Sequence, residues 1–253
     1  MRKLACLLFV TLAVTACGKK GPLLYPDMLI PAAPSNVSSQ QVGDSIKLSF
    51  VLPSKDLAGR DFSGLSGVTI IKRDEAAGQV PGCSSCTTDF APFRKLNLDL
   101  LPSGIQRYGN LLVLLDGAVQ TGRAYTYRVS AVTADNQDGA LSVPVSAVMV
   151  PTPHPPVLQV VSQPTEIQLE FTGVSPGEGT IAGYNLYRTL KGEPFPLQPL
   201  NREPVTSNRF VDAGLERGTS YVYAVRTVVR LSSGGRVEGG LSNEVEGRLK
   251  DDE

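Results

Sequence analysis

The chain has 253 residues, with 24 Lys+Arg against 24 Asp+Glu and a single His. That balance excludes the strong basic field of a nucleic-acid binder. One His excludes a two-His zinc-protease helix, and any Ser-His-Asp triad would have to use His154. At the start of the chain Arg2 and Lys3 precede eleven largely apolar residues, 4–14. The run is shorter than the roughly 20 residues that span a bilayer and has the dimensions of a secretory signal core.

Small residues Thr15 and Ala16 follow, then Cys17. The string Val14-Thr15-Ala16-Cys17 resembles the bacterial lipobox. The resemblance implies cleavage between Ala16 and Cys17, a diacylglyceryl thioether on Cys17 and an acylated amine. Each buried CH₂ contributes about 0.8 kcal/mol, so two or more chains anchor a protein stably. Cleavage of residues 1–16 removes Cys6 and two of the 24 basic residues, leaving 22 against 24 acidic and a net charge of −2. Gly18 stands where, in the enterobacterial sorting rule, an Asp retains lipoproteins in the inner membrane. The implied location is the outer membrane, lipid-anchored, on its periplasmic or surface face.

Residues 17–26 read CGKKGPLLYP. They are similar to the start (CGxKGPLYxP) of small lipoproteins that assist maturation of the lipopolysaccharide-export translocon. Cys17, Gly18, Lys20, Gly21, Pro22 and Leu23 match in register; Tyr25 and Pro26 match after one extra Leu. Those lipoproteins are short and carry no folded domain. Residues 17–30 also read simply as a flexible, Pro-broken tether with two lysines beside lipid headgroups.

Beyond the tether the 25 Gly and 19 Pro favour short strands joined by turns. An ungapped repeat at an offset of 96 relates residues 114–132, LLDGAVQTGRAYTYRVSAV, to 210–228, FVDAGLERGTSYVYAVRTV. Y-x-Y-x-V alternates with period two, so Tyr125, Tyr127 and Val129 share one strand face, as do Tyr221, Tyr223 and Val225. The preceding Asp116 and Asp212 open an expected turn. IKLSF (46–50) pairs with IQLEF (167–171), GVTIIKR (67–73) with GYNLYR (183–188), and Leu141-Ser142 with Leu241-Ser242. Strands at this spacing predict a sandwich in each copy.

G-Y-x-L-Y-R, then D-x-x-L-x-x-G-x-x-Y-x-Y-x-V, then L-S-x-x-V resembles the fibronectin type III domain. The resemblance implies an all-β chain of two tandem fibronectin type III-like (immunoglobulin-like) sandwiches. In the second copy residues 183–188 become strand C, 221–228 strand F and 241–245 strand G. It also implies tyrosine corners at Tyr125 and Tyr221, and it places Phe50 and Phe171 where strand B usually carries a core Trp. The expected layout is signal peptide 1–16, lipidated tether 17–30, first domain 31–150, linker 151–156 and second domain 157–250. The linker, with four prolines in six residues, reads as a polyproline-like, semi-rigid spacer carrying a solvent-facing His154.

From Gly67 to Gly122 the first copy takes 55 residues, against 35 from Gly183 to Gly218 in the second. The excess includes Cys83-Ser84-Ser85-Cys86. A haem site needs His at position 87, which is Thr. A local disulfide fits an oxidising compartment, at about 2 kcal/mol for so short a loop. Redox or intermolecular pairing and a metal shared between two chains stay open. Phosphate-loop, G-x-S-x-G and EF-hand patterns are absent from the sequence. The expectation is a non-enzyme with no cofactor or metal, held on a membrane by its lipid, binding a protein or envelope component and no nucleic acid. Two alternatives remain: an accessory role in translocon biogenesis, and a thiol oxidoreductase using Cys83 and Cys86.

Overall fold

A computed structural model describes residues 25–78 and 89–251. Ala16, Cys17, Gly18, Lys20, Gly21, Pro22, Leu23, Cys83 and Cys86 lie outside the described residues. The first copy contains β1 (Ser35–Val42), β2 (Ser45–Val51), β3 (Leu65–Ala76), β4 (Ala91–Asn97), β5 (Ile105–Tyr108), β6 (Leu111–Asp116), β7 (Arg123–Thr133) and β8 (Val145–Val148). The second contains β9 (Val157–Ser162), β10 (Glu166–Thr172), β11 (Thr180–Leu190), β12 (Arg209–Ala213), β13 (Tyr221–Arg230), β14 (Arg236–Glu238) and β15 (Val245–Gly247).

Alternation builds both cores. On β2, Ile46, Leu48 and Phe50 are fully buried, while Lys47 and Ser49 between them are only partly so. On β10, Ile167, Leu169 and Phe171 repeat the pattern. Phe171 packs on Tyr184 with ring centres 4.6 Å apart, so a benzene ring fills the place of the expected indole. In the first copy β1-β2-β6-β5 forms one sheet and β4-β3-β7-β8 the other; in the second, β12-β10-β9 packs on β11-β13 with β14 and β15. The chain is all-β, and each copy is a fibronectin type III-like sandwich.

Two departures from the sequence reading have physical causes. The expected strand G at residues 241–245 is split: β14 and β15 both pair with β13, and residues 239–244 between them form no strand. The break is filled by Ser242, whose Oγ accepts from Val225 N–H at 2.9 Å and donates to Asn243 O at 2.8 Å. Ser142 does the same with Val129 N–H (3.0 Å) and Val143 O (2.9 Å). The Leu-Ser motif thus supplies a side-chain substitute for a missing ladder bond.

Asp116 and Asp212 do open the expected turns, and they do so from strand ends: Asp116 Oδ1 accepts Ala118 N–H at 2.9 Å, and residues 117–122 and 214–220 form no strand. They end or lie within β6 and β12 and are buried at 1% and 8% exposure. The last residues of the tether, finally, are already docked on the first sandwich. Leu57 N–H donates to Ile30 O, Ala58 N–H to Met28 O and Ala140 N–H to Pro31 O.

Candidate functional site at the junction of the two sandwiches

Each core contains the same polar knot. In the first, Tyr127 on β7 donates its hydroxyl to Asp116 Oδ2 at 2.7 Å, and Lys72 Nζ on β3 meets the same oxygen at 2.6 Å. Ala118 N–H donates to the other carboxylate oxygen at 2.9 Å. Lys72 Nζ lies 4.3 Å from the Tyr125 ring centre and 5.2 Å from that of Phe93, a cation–π setting. In the second, Tyr223 donates to Asp212 Oδ2 at 2.9 Å and Arg188 contacts both carboxylate oxygens, at 3.0 and 2.8 Å. Asp116 and Asp212 stand in one sheet while their partners stand in the other, so each knot ties the two layers together.

Strand register makes Lys72 the counterpart of Arg188, because they face Tyr127 and Tyr223 respectively. The repeat GVTIIKR/GYNLYR therefore aligns from its glycines, not from its terminal arginines. Burial, then hydrogen bonding to the adjacent carboxylate, pushes the hydroxyls of Tyr127 and Tyr223 well above the usual tyrosine range. Both stay neutral donors at physiological pH. The knots are fastenings, with every carboxylate oxygen engaged.

The tyrosine-corner residues sit beside them. Tyr125 accepts Gln120 N–H at 2.8 Å and Tyr221 accepts Glu216 N–H at 3.1 Å, each five residues upstream.

The copies are fused at a junction that sequence patterning does not reveal. Strand β14 of the second sandwich pairs in parallel with β1 of the first, Val42 opposite Glu238. The result is one eight-stranded sheet, β11-β13-β14-β1-β2-β6-β5, with β15 beside β13. Glu238 is 1% exposed. Its carboxylate receives Lys47 Nζ at 3.1 Å from the first sandwich and the Tyr187 hydroxyl from the second. Its carbonyl accepts Gly43 N–H at 2.9 Å. Burial, then the charge of Glu238, pushes the Tyr187 hydroxyl above its ordinary value, so it too donates.

The linker is stitched in rather than left as a spacer. Gln41, 1% exposed, both donates to and accepts from the backbone of Val150 at 2.9 Å. Thr152 donates to Gly43 O at 3.2 Å and contacts Asp44. His154 is exposed on the same segment. A second seam forms where Gln106 of β5 donates to Phe195 O at 3.2 Å and accepts Leu197 N–H at 2.6 Å. Between these contacts lies a crevice of about 70 Å³ bordered by Val42, Lys47, Tyr187, Phe195, Leu197 and Arg226. Pockets for small organic ligands run from about 300 Å³ upward, so this one is a packing seam. What the junction does is hold the faces of both sandwiches in one orientation.

Glu238 and Gln41 carried no sequence signal, standing in GGRVEGG and SSQQVGD without periodicity of their own. Lys72 and Arg188 did carry one, since both belong to the repeat.

No protein-family model matches the chain. Among solved structures, the chain is similar to an Fn3-like protein from Clostridium thermocellum at 26% identity, covering 40% of this chain and 98% of that one with a TM-score of 0.31. It is also similar to a structure described as a myokine, at 18% identity over 40% of this chain and 100% of that one, TM-score 0.31. The FN1–FN3 domains of chicken CNTN1 match at 14% identity over 88% of this chain and 66% of that one, TM-score 0.31.

Proposed function

We propose that this protein is a non-catalytic, lipid-anchored scaffold of the bacterial cell envelope that binds a protein partner. The observation that supports this most is the junction. Two sandwiches sharing one sheet form a preorganised platform, and a platform that does not reorganise loses less freedom on binding. The outward face of β9-β10-β12 is the surface that fits such a partner. Val161, Gln168 and Val211 lie in one cross-strand row there, with Val161 and Val211 both exposed. Strand β12 is the last strand of that sheet among the described residues. Its unpaired side offers backbone groups to an incoming chain.

In-cell crosslinking followed by identification of what co-purifies tests the scaffold reading. A captured envelope protein that is lost from a Val161→Asp, Val211→Asp variant supports it. Retention of the same partner by that variant moves the binding surface elsewhere. For the anchor, Cys17→Ser should release the protein from membranes; a variant still fractionating with them removes the lipid from the reading.

The translocon-biogenesis reading rests on the CGKKGPLLYP segment. Replacing residues 18–26 by an unrelated tether separates the two: a scaffold keeps its partner, an assembly factor loses it.

A further inference from the structure

The two sandwiches begin in the same way. Ahead of the first, Pro31 lies against Gly139, where a Cβ would come within 2.7 Å of Pro31 O, and Ala140 N–H donates to that oxygen at 2.9 Å. Ahead of the second, Pro153 lies against Gly239, where a Cβ would come within 2.8 Å of Pro153 O, and Gly240 N–H donates to it at 3.0 Å. Each leader segment is thus seated on its own sandwich by a glycine that leaves room for it. At the second sandwich, the chain beyond this seat runs directly into the first sandwich, which abuts that pole through Val42, Gly43 and Lys47. At the first sandwich, the equivalent pole is bare of protein among the described residues.

Five of the first copy's seven exposed large apolar side chains among the described residues lie at that bare pole; Val143 and Val148, at 72% and 45%, lie on the stretch leading into and along β8. Tyr25, Leu29, Leu57, Leu100 and Tyr108 are 62%, 39%, 47%, 78% and 43% exposed. They are all the exposed leucines and tyrosines of that copy among the described residues. Their positions converge there: the leader runs beside 55–58, the 109–110 hairpin meets Leu52 through its N–H to Asn110 O, and Leu98 bonds Ser66 at the foot of β3. Leu57 is carried on a braced turn, because the buried Asp56 carboxylate accepts Arg60 N–H at 2.9 Å and Arg60 Nε at 2.8 Å.

We infer that this pole rests on a lipid surface, with Leu29, Leu57 and Leu100 entering the interface. The inference rests on the proposed lipid at Cys17. Eight steps of the chain lead from Cys17 to Tyr25, which at about 3.5 Å each gives a reach of no more than about 28 Å. The described chain emerges from the apolar pole itself, so the anchor starts beside it. Asp61 pairs by backbone with Lys55, and Asp99 and Arg107 border one cleft there. Asp27 on the leader and Asp135 on the loop that bonds Gly64 add two exposed carboxylates, so the pole holds no excess of basic groups for anionic headgroups to attract, and the contact is one of apolar side chains with neutral lipid. Interfacial amphipathic helices bury their apolar face about 5–10 Å into the headgroup–acyl boundary, and that is the depth expected of these side chains. The second sandwich, joined to the opposite end, then points away from the membrane with the β9-β10-β12 face free.

The chain contains no Trp, so single tryptophans report cleanly. The acylated protein, purified from membranes in detergent, is reconstituted into phosphatidylcholine vesicles with brominated acyl chains. Leu57→Trp and Leu100→Trp should emit at shorter wavelength and lose about half their intensity to the bromines, a depth consistent with interfacial insertion. Val211→Trp, on the second sandwich, should keep its emission. Mass spectrometry of the Cys17 peptide reads the anchor separately. An acylated, vesicle-bound chain in which the indole emission of both the Leu57→Trp and the Leu100→Trp variant is unquenched overturns the pole and leaves the anchor standing. A chain with no acyl mass at Cys17 that does not bind the vesicles overturns both.

Discussion

The two sandwiches differ most where their repeat is interrupted. Between β3 and β6 the first copy inserts β4 and β5, completing four strands in each sheet. The second copy spans the same interval with residues 191–208, which form no strand; residues 200–205 lie along β11 through the Leu200–Leu186 bond, the Asn201 side chain and the Tyr184–Val205 bridge. Between the bonds of Thr189 to Glu193 and Pro194 and that of Leu200 to Leu186, Phe195 and Leu197 reach Gln106 on the first sandwich. The last strand shows the same division. In the first copy residues 134–144 form only a loop with a single bridge, Val132 to Asp138; in the second the equivalent stretch becomes β14 and pairs with β1. One copy thus elaborates itself, and the other elaborates the bond between them.

The polar knots sharpen the contrast. Lys72 and Asp116 are 13% and 1% exposed in their side chains, whereas Arg188 and Asp212 are 31% and 10%. Asp116→Ala strands a buried ammonium and a tyrosine hydroxyl, and should destabilise the protein by about 3–5 kcal/mol in urea unfolding. Asp212→Ala leaves an arginine that can turn to water and should cost about 2 kcal/mol. Equal losses would break the distinction.

Glu238→Ala tests the junction rather than either core. It leaves Lys47 and Tyr187 without their acceptor and should cost about 2–4 kcal/mol. It should also divide a single calorimetric transition into two, one per sandwich. A transition that stays single shows that the linker and the Gln106 seam suffice.

Alkaline pH divides the molecule in another way. The hydroxyls of Tyr127, Tyr187 and Tyr223 titrate higher in the folded chain than the ordinary value of about 10. Below that pH both states hold the proton and nothing changes. Above it the unfolded chain releases protons first, so stability should fall by about 1.4 kcal/mol per pH unit for each tyrosine. Tyr127→Phe, Tyr223→Phe and Tyr187→Phe should each remove one share of that slope, assigning it to first core, second core and junction.

The smallest difference should lie at the serines. Ser142→Ala and Ser242→Ala each orphan one buried N–H, of Val129 and Val225 respectively, and should cost about 1–2 kcal/mol alike. Unequal values would mean that the split in the second copy's last strand depends on more than its serine.

Strands with strict alternation, such as those holding Ile46-Leu48-Phe50 and Tyr221-Tyr223-Val225, were legible in the sequence, because a period of two is a direct image of one buried face. So was the duplication, which located Asp116, Tyr127 and their partners without stating what they do. The aspartates were legible as the openings of turns, but local sequence cannot show that a lysine 44 residues from Asp116 will meet it across the core. The junction was the least legible. Gln41, Lys47 and Glu238 are ordinary polar residues in their own segments, and only a tertiary approach buries them.

The Lys47–Glu238 contact joins positions 191 residues apart. At synthesis rates of about 5–20 residues per second, roughly 10–40 s pass between the appearance of one partner and the other. Through that interval β1 is the open border of a sheet, the kind of surface on which nascent chains adhere to one another. Beside it stands Lys47 of β2, an ammonium that water solvates well until the acid arrives. The chemistry that fuses the finished molecule also keeps its unfinished half soluble.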